Sequence, residues 1–184
     1  MKKYLLNFIV SFKKIIPQKK EKTRMKYYKT LKLSEQQMLR AFQIWNDAVS
    51  DSYKIQSFQE FKSRIDGLEN TRFILVQTED KRIIGWLCLF HFNNKVWMTI
   101  VIDKTNQNAA IGSILIDMAK FMSNDLNVCV PIFENTSVVI FLQNHKFKIE
   151  STNQIIIMGF NGYVATWKKS KFSFKYWLLN PIEN

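Results

Sequence analysis

Apolar residues recur along this chain with two periods, one of two residues and one of three to four, and the switches between them divide it into elements. Tyr27 to Leu33 reads as a strand. Ser34 then stands where a helix N-cap is expected, and Gln37, three positions on, completes a capping box. Met38, Leu39, Phe42, Ile44 and Trp45 follow at helical spacing, so a helix is expected to about Val49. After a loop over 51–57, a second helix is expected from Phe58 to Ile65, ended by Gly67. Phe73–Gln77, Arg82–Phe92 and Val96–Ile102 read as three strands. Two polar turns, Thr78-Glu79-Asp80-Lys81 and Asn93-Asn94, join them into an antiparallel meander. The loop 103–108 leads into an apolar helix, Ala109–Met122. A strand at Asn127–Phe133, a helix at Thr136–Asn144 and two last strands at Phe147–Ile149 and Gln154–Phe160 complete the pattern. The order β-α-α-β-β-β-α-β-α-β-β predicts an α/β chain built on a mixed sheet, α+β in the sense that its antiparallel strands are grouped.

Charge changes the picture only at the ends. Residues 1–32 hold eleven Lys and Arg against one Glu, and residues 163–184 hold four Lys against one Glu. Residues 33–162 hold the remaining twelve basic residues against thirteen acidic ones, so the formal charge of +12 comes from the two ends. This divides the chain into a basic amphipathic extension (1–25), a domain (26–162) and a basic aromatic tail (163–184). In the extension Leu5, Ile9, Phe12 and Ile16 share a helical face flanked by lysines; in the tail Trp167, Phe172, Phe174, Tyr176 and Trp177 alternate with lysines. Both suit the headgroup region of an anionic leaflet. The expectation is a cytoplasmic protein, peripheral at the inner membrane face, unless Met25 is the true start. No recognised nucleic-acid module accompanies the basic ends. Cys88 and Cys129 sit inside apolar stretches and read as reduced, buried thiols. His91 and His145 are far apart with no Cys near either, so no metal is expected. A homodimer is compatible with the pattern.

The stretch from Ile100 to Ser113 carries the chemistry. An apolar strand, Ile100-Val101-Ile102, ends in Asp103; a polar turn follows, and Ala109, Ala110 and Gly112 open a helix. Small residues let a ligand approach the backbone, and first-turn amides without intrahelical acceptors bind anions, aided by the helix dipole. The combination reads as a cradle for a pyrophosphate.

This stretch resembles the acetyl-CoA motif of the GNAT superfamily of N-acetyltransferases, in which a Gln/Arg-x-x-Gly-x-Gly/Ala loop follows a valine–aspartate pair. Ile102-Asp103 matches that pair, and Gln107, Ala110 and Gly112 fill the loop positions, with alanine for the first glycine. Asn135, Val139, Phe141 and Phe147 match a second pattern of that superfamily, Asn-x-x-Ala-Ile-x-Phe-Tyr-x-Lys-x-Gly-Phe. The resemblance covers about 27–160. It implies a GNAT-like acyl-CoA N-acyltransferase fold whose central parallel strands, 96–102 and 127–133, splay apart, with Pro131 tolerated where the ladder has separated. It implies acetyl-CoA as cosubstrate: pantetheine against the backbone of Ile100, Val101 and Ile102, pyrophosphate on the amides of Asn108, Ala109, Ala110, Ile111, Gly112 and Ser113 beside Gln107, and Asn135 on the pantetheine arm. The implied reaction is attack of an acceptor amine on the thioester.

Two departures mark the chain. Leu142 stands where the superfamily has a tyrosine that protonates the leaving thiolate, and Lys146 replaces the glycine before the last Phe. His91 and Glu134 are the candidate bases, and Asp51 and Tyr53 the candidate acceptor-side residues. The competing expectation is a non-catalytic, CoA-binding module that serves as an interaction domain.

Overall fold

The computed structural model describes residues 25–107, 109–123, 127–132, 136–157 and 159–168. Seven strands form one mixed sheet in the order β1-β2-β3-β4-β5-β7-β6. The strands are β1 (Lys26–Thr30), β2 (Glu69–Gln77), β3 (Ile83–Phe92), β4 (Lys95–Ile102), β5 (Val128–Ile132), β6 (Lys148–Ile157) and β7 (Phe160–Trp167). The helices are α1 (Glu35–Ala48), α2 (Phe58–Asp66), α3 (Ala109–Met122) and α4 (Thr136–Asn144). All neighbouring strands run antiparallel except β4 and β5.

The sheet is a middle layer. On one face α1 and α2 bury Met38, Ala41, Ile44, Trp45, Phe61 and Ile65 against Phe73, Trp86, Phe90, Trp97 and Val101. On the other, α3 and α4 bury Ile111, Leu115, Ile116, Ala119 and Leu142 against Ile74, Leu87, Met98, Val128 and Val130. Strand β4 shows the alternation directly: Trp97 and Val101 belong to the first cluster, Val96, Met98, Ile100 and Ile102 to the second. A strand covered on both faces is apolar throughout, which is why β3 is buried from Ile83 to Phe90.

Local chemistry sets the helix ends. Ser34 Oγ accepts from the Gln37 amide (3.3 Å) and Gln37 Oε1 accepts from the Ser34 amide (2.9 Å), closing the predicted capping box. Ser57 Oγ accepts from the Glu60 amide (3.1 Å) to start α2. The indole N–H groups of the buried Trp45, Trp86 and Trp97 all reach carbonyls, of Tyr53, Ala41 and Phe92, so these rings contribute apolar area without an unsatisfied donor.

Two sequence expectations are corrected at the C-terminal side. Phe147–Ile149 and Gln154–Phe160 are not separate strands: they fall mainly within β6, whose pairing with β7 slips between Glu150 and Ile155. Strand β7 runs from Phe160 to Trp167, across the expected boundary at 162, and lies between β5 and β6. Asn161 and Gly162 pair with Ile156 and Ile155 within the ladder. Trp167 is thus part of the sheet and not of a tail. The extension 1–24 and residues 169–184 lie outside the described residues.

Asn46 fixes the α1–α2 connection: its amide donates to Ile55 O (2.8 Å) and its oxygen accepts from Ile55 N–H (2.9 Å). Asn46→Ala would leave both groups of the buried Ile55 unpaired. The expected loss is about 2 kcal/mol, measured as a lower urea midpoint, together with faster proteolysis within 50–57. An unchanged midpoint would show that the loop holds itself.

Candidate active site between β4 and β5

The parallel pair β4–β5 is in register at only two positions, Val96 with Val128 and Trp97 with Cys129. Beyond them β4 continues through Met98–Ile102 on β3, and β5 continues through Val130–Ile132 on β7. Each strand keeps its outer partner and loses its inner one. The result is a wedge, closed at Trp97 and open toward the C-terminal ends of both strands, with unpaired backbone groups along the β5-facing edge of β4. Pro131, without an N–H, sits in the separating stretch, as expected from the sequence.

The end of β4 is clamped. Arg40 of α1 donates from Nε to Ile83 O (3.0 Å) and from Nη2 to the Asp103 carboxylate (2.9 Å), and the Asp103 amide donates to Ile84 O (2.8 Å). Asp103 also accepts from the hydroxyl (2.7 Å) and amide (3.0 Å) of Thr105, which starts a single 3-10 turn, Lys104–Asn106. The Thr105 hydroxyl, then its amide and Arg40, hold the Asp103 carboxyl below its ordinary range against the opposing effect of partial burial. Gln107 Nε2 donates back to Ile102 O (3.1 Å). The matched aspartate and glutamine are therefore part of the turn that aims α3.

Helix α3 begins at Ala109, the predicted position, and Ala110 is exposed on its first turn. Gly112 is explained by packing: a Cβ there would lie 2.8 Å from Phe141 Cζ, so only glycine lets α3 approach α4 this closely. Ile100 and Ile102 are half-buried at the wedge and Val101 is buried on the α1 face. Asn108 and Asn135 lie outside the described residues, as does the candidate base Glu134.

Ser113 Oγ and His145 Nε2 share a hydrogen bond of 2.9 Å that ties α3 to the end of α4. Burial lowers the His145 pKa and the Lys120 ammonium lowers it further. Lys120 Nζ donates to His145 O (2.8 Å) and lies over the rings of Phe147 and Trp167. Beside this pair is a hollow of about 350 Å³ lined by Lys120, His145, Lys146 and Lys168 with a single carboxylate, Asp117. Its excess of cations suits an anionic group. Nothing in the sequence spacing announced this cluster, because it joins α3, α4 and the end of β7.

The other candidates are sorted by place. His91 pairs with Val96, at the closed end of the wedge, six residues or about 20 Å along the strand from Ile102. It therefore stands at the closed end of the wedge and not at its opening. Leu142 is buried in the core under α4 and carries no proton to give. The Asp51 carboxylate is exposed and ion-paired to Lys54 Nζ (2.7 Å). The Lys54 hydrogen bond and charge lower its pKa, as does Lys104 at the end of β4, so Asp51 is a weak base near that end. Tyr53 packs edge-on against Phe160 (5.6 Å). Among the described residues no group of three His, Cys, Asp or Glu could hold a metal.

No family model matches the sequence, and no curated protein matches it significantly. Solved structures do match. The phosphinothricin acetyltransferase of Sinorhizobium meliloti, in complex with acetyl-CoA, superposes with a TM-score of 0.58 at 13% identity over 77% of this chain and 85% of its own. The PaiA N-acetyltransferase of Thermoplasma acidophilum, in complex with coenzyme A, gives 0.56 at 16% over 80% and 100%. The spermidine/spermine N-acetyltransferase SpeG of Vibrio cholerae gives 0.52 at 18% over 78% and 92%. The chain has the fold of the GNAT acetyltransferases.

Two measurements test this geometry. Lys146 occupies the left-handed position that ends α4 (φ 66°), with Phe147 N–H on Leu142 O (3.0 Å) and Lys146 N–H on Gln143 O (2.8 Å), a Schellman ending in which glycine is the usual residue. Lys146→Gly is expected to stabilise by about 1 kcal/mol, seen as a higher melting midpoint; a lower midpoint would mean that the lysine side chain outweighs the backbone strain. His145 should titrate below the ordinary histidine value of about 6.5. Its lowered pKa favours the neutral ring in the folded state, so its contribution to stability is complete above about pH 6.5 and is lost as pH falls through the folded pKa. An NMR titration midpoint at or above that value would contradict the burial and the Lys120 contact.

Proposed function

We propose that this chain transfers an acetyl group from acetyl-CoA to an amine-bearing acceptor. The observation that carries the proposal is the wedge between β4 and β5, opening toward the first turn of α3. The residues present fit such a ligand. An extended arm with amide groups would find partners on the unpaired backbone of Ile100–Ile102, and a pyrophosphate would meet the first-turn amides of α3 at Ala110 and its neighbours.

Bound there, acetyl-CoA supplies an activated acyl carbonyl. The acceptor nitrogen forms a C–N bond as the C–S bond breaks; the nitrogen loses one proton, the thiolate gains one, and no redox partner is needed. The protein's part is to hold and orient. The Arg40–Asp103 clamp fixes the end of β4, free backbone N–H groups beyond Trp97 stabilise charge developing on the carbonyl oxygen, and α3 holds the phosphates. The lowered pKa of Asp51 makes it a weak base and the apolar Leu142 has no proton to give, so the rate would rise with pH until the acceptor amine is neutral. The same two features favour a second reading, a CoA-binding module without turnover.

Calorimetric titration with acetyl-CoA, followed by a thiol-release screen over polyamines, amino acids, aminoglycosides and peptides, tests both. Binding with release for one acceptor class supports the enzyme; binding without release for any supports the module; no binding ends both. Ala110→Glu is the informative variant, since Ala110 is exposed whereas any side chain at Gly112 would strike Phe141. A carboxylate on the first turn is expected to weaken acetyl-CoA binding by about tenfold or more at an unchanged melting midpoint. Unaltered affinity would remove α3 from the binding site.

A further inference from the structure

The hydroxyl of Thr99 has no hydrogen-bond partner, although Thr99 is only 6% exposed. A buried hydroxyl is ordinarily paired, because leaving one unmet is destabilising. Every other buried side-chain nitrogen or oxygen among the described residues has a partner, so the orphan marks one place. That place is the closed end of the wedge. Thr99 lies two residues past the last β4–β5 pair, at Trp97 with Cys129. Continuing that register sets Thr99 against Pro131, whose nitrogen has no hydrogen to offer. Across β3 its neighbour is Cys88, whose thiol donates weakly to Leu89 O (3.7 Å) and whose pKa is pushed up by burial. Neither neighbour satisfies the hydroxyl.

The direction of the wedge says what would. A ligand anchored by its phosphates at the N-terminus of α3 and threaded along Ile102 toward Ile100 runs out of room where the strands close. From Ile102 to Thr99 is three residues, about 10 Å of strand, so the innermost part of the ligand meets Thr99. In an acyl-CoA that part is the thioester.

We propose that Thr99 is a specificity-determining residue of the acyl site, its Oγ1–H donating to the carbonyl oxygen of the bound thioester. The inference rests on the acyl-CoA reading above. The hydroxyl then distinguishes a ligand that carries an acyl carbonyl from free CoA, which offers no acceptor at that depth.

Thr99→Val removes the hydroxyl at constant shape. Ligand-free Thr99→Val should melt higher than wild type, by about 3 °C, because an unmet polar group has been removed. In calorimetry the same variant should bind acetyl-CoA about tenfold more weakly and CoA with unchanged affinity. Thr99→Ser, which keeps the hydroxyl, should restore acetyl-CoA affinity. A lower melting point for Thr99→Val with unchanged binding overturns the proposal by showing that a buried water alone satisfies the hydroxyl. Equal weakening toward CoA and acetyl-CoA overturns it by moving the contact to the pantetheine arm. Unchanged binding of both ligands in all three proteins overturns it while leaving the acyl-CoA reading intact. Failure of the wild type to bind either ligand overturns that reading, and this proposal with it.

Discussion

The structure depends on a parallel ladder that stops after two residue pairs. Strands β4 and β5 could have paired along their length, and extending the ladder would have satisfied more backbone groups. Instead each stays bonded to its outer neighbour, β4 to β3 and β5 to β7. The separation therefore needs support from outside. Arg40 gives it on one side, joining α1 to Ile83 O and Asp103 at once. On the other side β7 pairs with β5 at every position from Val128 to Ile132, and Pro131 removes one donor that would otherwise favour closure. The same separation that forfeits sheet hydrogen bonds creates a line of donors and acceptors facing an open space, which is the property a long amide-bearing ligand requires.

That dependence explains which parts of the chain were legible in its sequence. Helices α3 and α4 matched residue for residue, because each begins after a polar turn and carries its own apolar stripe. The capping box at Ser34 and Gln37 and the order of the first nine regular elements were equally local signals. The last two strands were misjudged because what makes them strands is not local. Residues 160–167 include Asn161-Gly162 and alternate without strong contrast; they become β7 because β5 and β6 flank them. The domain boundary at 162 failed for the same reason. His91 is a different case. Its sequence neighbours gave no indication of which end of the sheet it would occupy, and only the register with Val96 shows that it is the closed end.

The departures from the superfamily pattern also take on separate meanings. Lys146 in place of glycine is a backbone matter: it strains the end of α4, and Lys120 compensates in part by donating to His145 O. Gly112 is a helix-packing matter, set by the ring of Phe141. Leu142 is the departure that would bear on the proposed chemistry, since a buried aliphatic side chain stands where the superfamily pattern has a phenol. One motif thus mixes residues kept for folding with residues kept for reaction, and a match or mismatch at each position carries different weight.

A site built this way leaves a faint trace in sequence. Under the proposed function its binding groups would be largely the free edge of a strand and the first amides of a helix, and any residue compatible with the backbone supplies those. The geometry of such a site rests on the turn that aims α3, on the glycine that lets α4 approach, and on the clamp that holds β4. Structures of this fold share only 13–18% identity with the chain, which is compatible with a geometry maintained by a few contacts. Under the proposed function, backbone groups would recognise the donor and side chains would be left to recognise the acceptor.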